Sequence, residues 1–108
     1  MVDIINITST SQFNQLIKEN SVVLVDFWAT WCVPCKFFGS NILPQVAKSV
    51  DDVAILKVNT DENQELSIQY AISSVPTLII FKNGDVVEKM AGVQQKQDLI
   101  NKLEEIKK

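Results

Sequence analysis

The chain predicts an α/β fold, a central mixed sheet of five strands flanked by four helices, and three features carry that expectation. Runs rich in β-branched and aromatic residues alternate with stretches of helical spacing, the pattern of parallel strands joined by crossover helices. One run, Ser21 to Ala29 (SVVLVDFWA), is apolar throughout except for Asp26, as a strand covered on both faces must be. Two later apolar runs are separated by Lys82-Asn83-Gly84-Asp85, and Asn-Gly is a strong signal for a tight antiparallel hairpin.

In chain order, VDIINI near the start is a short strand. Ser9 and Gln12 then resemble a capping box ahead of Phe13, Leu16 and Ile17, so a helix over 9–19 follows. SVVLVDFWA is the central strand. Lys36 to Val50 has helical character interrupted by Gly39-Ser40-Asn41 and Pro44, since Pro44 has no N–H for the Ser40 carbonyl. The expectation is a kinked or two-piece helix, with Asn41 capping the second piece and Pro44 in its first turn. VAILKVN (53–59) is another strand, and Asp61 with Gln64 signals a short helix through Tyr70. PTLIIF and VVEKMAG form the hairpin. Leu99, Leu103 and Ile106 then set the apolar face of a closing helix that no good N-cap residue precedes. The order is βαβαβαββα. With 108 residues, 46% of them apolar, and no repeat or linker, the chain is expected to form one domain over 1–108.

Composition excludes several classes of function. Ten lysines stand against thirteen acids, net −3, with no basic run to follow a phosphate backbone, so nucleic acid is not an expected partner. The first residues lack the basic head and apolar core of a secretory signal, and no apolar run is long enough to span a membrane. A soluble, cytoplasmic protein is expected, and there a disulfide would be transient rather than structural.

Both cysteines lie in WATWCVPCK (28–36), two residues apart. As a staple, Cys32–Cys35 would close a very small loop and so remove little entropy from the unfolded chain. A closed zinc site needs four Cys or His ligands, and the chain has no third cysteine and no histidine. A redox dithiol fits better. A Cys-x-x-Cys that leaves a strand and opens a helix sets its first sulfur near N–H groups that have no intrahelical partner, and these favour thiolate. Pro34 suits the first turn, where its missing N–H is not needed.

VDFWATWCVPCK, KVNTDEN, YAISSVPTLIIFKNG and MAGV resemble the thioredoxin family over essentially the whole chain, with Asp26, Trp28, Trp31, Pro76, Gly84 and Gly92 in the matching order. The resemblance implies a protein-disulfide reductase of cell redox homeostasis that binds no cofactor or metal, acts on disulfide-containing proteins, and is recharged by a flavin-containing thioredoxin reductase. A monomer is expected. By resemblance, Cys32 is the exposed nucleophile, Cys35 resolves the mixed disulfide, and Asp26 exchanges a proton with Cys35, with Lys57 near the acid. Pro76 would follow a cis bond, and the Val75 backbone would pair with an extended substrate segment. Trp31, Thr60, Ser74, Val75, Ala91, Gly92 and Val93 match the family's contact surface, whereas Trp28 reads as packing and Gly92 as a bulge or a close backbone approach.

Two positions depart from the family pattern. Val33, beside Pro34 between the cysteines, replaces the usual glycine and is expected to modulate the active site. Ser40 stands where the family's helix proline would be, with Pro44 beyond it. Two rivals share the fold: a dithiol oxidant or isomerase, which histidine between the cysteines would have favoured, and a non-catalytic binding subunit.

Overall fold

A computed structural model describes residues 1–108. Its elements are β1 (Ile4–Asn6), α1 (Thr10–Glu19), β2 (Val22–Trp28), α2 (Val33–Phe37), a π-helical turn (Phe38–Ile42), α3 (Leu43–Ser49), β3 (Ala54–Asn59), α4 (Gln64–Gln69), β4 (Thr77–Lys82), β5 (Asp85–Ala91) and α5 (Lys96–Lys107). The strands form one sheet in the order β1-β3-β2-β4-β5. β2, the most continuously apolar segment, is its centre, as expected for a strand covered on both faces.

β1 and β2 pair with β3 in parallel, whereas β4 pairs antiparallel with both β2 and β5. The antiparallel part therefore begins one strand deeper than the hairpin alone implied. Asn83 (φ 51°) and Gly84 (φ 86°) make the hairpin turn in the left-handed region that Asn-Gly tolerates.

Side chains alternate along β2, so its two faces feed two apolar layers. Val23, Val25 and Phe27 pack with Phe13 and Ile17 of α1 and Leu66 of α4. Val22 and Leu24 face the other way, onto Phe38, Leu43 and Val46 and onto Leu99 and Leu103 of α5. By the same alternation Asp26 and Trp28 lie on this second face, as do Lys57 and Asn59 in the row beside them on β3.

Capping differs from expectation in three places. Ser9 Oγ accepts from Gln12 N, but the Gln12 side chain accepts from Thr8 N, one residue earlier than in a capping box. Asn41 caps nothing: Ile42 ahead of α3 is already helical, and Asn41 Nδ2 donates back to Phe37 O. The interruption takes the form of a π turn instead, in which Leu43 N–H reaches Phe38 O five residues back, leaving Pro44 in the first turn of α3. Asp61 does not start α4. Asn59 Oδ1 accepts from the amides of Asp61 and Glu62, and the helix starts after Asn63 without a side-chain cap.

Candidate active site

The chain turns from the end of β2 into α2, with Cys32 at the end of this turn and Cys35 in the first turn of the helix. Cys32 is the residue capping α2, and its Sγ accepts from Cys35 N at 3.2 Å, the first-turn donor that a CxxC at a helix start was expected to supply. The two cysteines form a disulfide with Cα atoms 5.3 Å apart. Pro34 occupies the first turn without breaking a hydrogen bond.

Cys32 was expected to be exposed. In the disulfide it is only 6% exposed, against 1% for Cys35, because Ala29, Trp28 and Val75 pack around the pair. The Val75 carbonyl oxygen lies 3.7 Å from Cys32 Sγ. The Val75–Pro76 bond is cis. Neither the N–H nor the C=O of Val75 takes part in a backbone hydrogen bond, whereas Pro76 O accepts from Gly92 N at 2.8 Å. That bond, with the Thr77–Ala91 pairing, sets Ala91, Gly92 and Val93 beside Pro76. Gly92 is neither a bulge nor a close approach. A Cβ there would meet open space, and the residue is suited to its place by φ +87°.

Trp31, Thr60, Ser74 and Val75 line one shallow groove of about 130 Å³ together with Ile72 and Ser73. Those last two were not singled out in the sequence, where Ile-Ser-Ser reads as an ordinary polar connection before a proline. Asp61 was likewise assigned elsewhere. Its carboxylate accepts from the Trp31 indole N–H at 3.2 Å and orients a ring that is otherwise 69% exposed. Val33, next to Cys32 in the chain, is 72% exposed.

In the middle of β2, Asp26 is fully buried and neither carboxylate oxygen has a hydrogen-bond partner. Burial raises its pKa from 3.8 to about 7, and the positive charge of Lys57 pulls it partly back. Lys57 stands opposite Asp26 across the β2–β3 pairing, but its ammonium sits 4.6 Å from the centre of the Trp28 ring, a cation–π contact. It also reaches the π turn, where a Cβ on Gly39 would lie 2.9 Å from Lys57 Nζ. The missing side chain of Gly39 leaves that room. Asp26 and Lys57 thus form a loosely coupled pair on the sheet face that α2 and the π turn cover, and Trp28 on the same face touches both Lys57 and the cysteine cluster.

The arrangement suits a thiol that must leave and re-enter a disulfide: a sulfur at a helix start, a second sulfur buried behind it, and a carboxyl that titrates near neutrality on the same face. No three His, Cys, Asp or Glu residues lie together as a metal site would require.

Comparison with known proteins agrees over nearly the full length. The family model described as Thioredoxin matches residues 4–105. A thioredoxin of Rickettsia prowazekii is 40% identical over 97 residues, covering 89% of this chain and 91% of that protein. A Staphylococcus epidermidis thioredoxin is 45% identical over 95 residues, covering 87% and 89%. Among solved structures, a mutant thioredoxin from Halobacterium salinarum superposes with a TM-score of 0.91 at 31% identity, covering 98% of this chain and 92% of that one. The chain belongs to the thioredoxin family of protein-disulfide oxidoreductases, with Cys32–Cys35 as its redox-active pair.

Proposed function

We propose that residues 1–108 act as one domain, a general protein-disulfide reductase of cell redox homeostasis in the cytoplasm, recharged by a thioredoxin reductase. The observation that carries this reading is the asymmetry of the pair: Cys32 caps α2 next to Val75 of the groove, and Cys35 lies within α2, more deeply buried.

In the reduced form the Cys35 N–H that now points at Cys32 Sγ favours the Cys32 thiolate. That thiolate attacks one sulfur of a substrate disulfide, forming an intermolecular S–S bond and releasing the other substrate sulfur as thiolate. Cys35 loses its proton, for which Asp26 is the acceptor. It then attacks Cys32 Sγ, forming Cys32–Cys35 and releasing the second substrate thiolate. Two electrons have passed to the substrate. The second step is intramolecular, so its effective concentration is high.

Trp31, Thr60, Ser74, Val75, Ala91, Gly92 and Val93 form the contact surface, and the unpaired Val75 backbone takes an extended substrate segment as an added strand. Pro76 supports that loop from below, Lys57 tunes Asp26, and Val33 and Pro34 shape the turn between the sulfurs. No helix is long and apolar enough to cross a membrane. The test is electron flow from NADPH through a purified thioredoxin reductase to a disulfide-containing protein. The reading expects turnover that depends on this chain, and an absence of transfer to any protein disulfide overturns it.

A further inference from the structure

Val33 and Phe37 are four residues apart in α2, the spacing that sets two side chains on one helix face. Val33 is 72% exposed and Phe37 56%, while Cys35 and Phe38 supply the buried face of the same segment. Lone exposed apolar residues need no explanation, and Ile68 on α4 is one. The Val33–Phe37 pair differs because it is continuous with the surface around the reacting sulfur. Trp31, which lines the groove with Val75, directly precedes Cys32 in the chain, and Val33 directly follows it.

We infer that the Val33–Phe37 ridge is a second arm of the substrate surface, selecting disulfide partners with an aliphatic or aromatic side chain two or three residues from the attacked cysteine. The inference rests on Cys32 being the attacking sulfur. At 1.5 Å rise per residue, Phe37 lies about 7.5 Å along the helix from Cys32. An extended partner chain covers about 3.4 Å per residue, which brings its second or third residue over Phe37. The unpaired Val75 backbone holds one flank of the partner by main-chain hydrogen bonds that do not read side chains, so the ridge supplies selectivity on the other flank.

The experiment mixes the pre-reduced protein with homodimeric disulfide peptides in a stopped-flow instrument and follows tryptophan fluorescence. The peptides differ only in carrying leucine or serine at the third position on the N-terminal or the C-terminal flank of cysteine. The wild type is expected to prefer leucine over serine about fivefold on one flank. Phe37→Ser reduces that ratio to below about twofold, while Phe37→Leu and Ile68→Ser keep it. A wild-type ratio near one, or an unchanged ratio in Phe37→Ser, overturns the inference and leaves disulfide exchange standing. Failure of the wild type to react with any peptide overturns the exchange reading itself, and the inference with it.

Discussion

Asp26 and Lys57 face each other across adjacent parallel strands, yet the Lys57 ammonium is engaged with the Trp28 ring and both Asp26 oxygens remain without a hydrogen bond. An acid left unsatisfied in a core costs stability whenever it ionises. Packing therefore does not account for its presence in the most apolar strand of the fold.

Asp26→Ala is expected to stabilise the oxidised protein at neutral pH. The folded pKa, about 7, lies above the unfolded value of 3.8, so the wild type loses stability as pH rises past 3.8, and the loss levels off above 7. The mutant lacks that loss, so its advantage is small at pH 4 and largest above pH 7. At about 1.4 kcal/mol per pH unit, the ceiling is about 4 kcal/mol. Urea melts at pH 4, 6 and 8 check this, and a mutant less stable at every pH contradicts it.

Lys57→Met removes the one positive charge that holds the Asp26 pKa down, so that pKa is expected to rise from about 7. The carboxyl carbon of labelled aspartate, followed by NMR against pH, reads the change. An unchanged titration would mean that the Trp28 contact already screens the charge.

Much of this was legible in the residues themselves. The apolar run around Asp26 identified both the central strand and the one costly acid, and WCVPC identified the redox pair, because each pattern has a direct physical meaning. The position of β4 beside β2 was not legible, since strand order depends on long-range pairing that local periodicity does not encode. The π turn was hidden for a similar reason. Pro44 announces a break, but only the packing of Phe38 and Leu43 into the core decides that a wider turn, rather than a cap at Asn41, resolves it. Asp61 looked like a helix start because a carboxylate before Gln64 has the right spacing, and its partner, the Trp31 indole, is thirty residues away.

Val33→Gly is expected to change the reduction potential by no more than about 30 mV, equivalent to about 1.4 kcal/mol for a two-electron couple. The Val33 side chain is exposed and brings neither charge nor a donor to the sulfurs. Val33→His should move the potential further, toward an oxidant, because an imidazolium beside Cys32 stabilises its thiolate. Equilibration in glutathione buffers with thiol labelling compares the three proteins. A wild type that already sits with the oxidants, with a sharp drop for Val33→Gly, would contradict the reductase reading.

The central claim is the division of labour between the two sulfurs, and trapping with Cys35→Ser tests it most directly. When the reduced variant is mixed with a disulfide-containing protein, Cys32 should attack and then wait, because no second thiol is present to resolve the bond. The account predicts a stable mixed disulfide that peptide mapping places at Cys32, and no such adduct with Cys32→Ser under the same conditions. An adduct formed through Cys35 in Cys32→Ser, with none in Cys35→Ser, would contradict it.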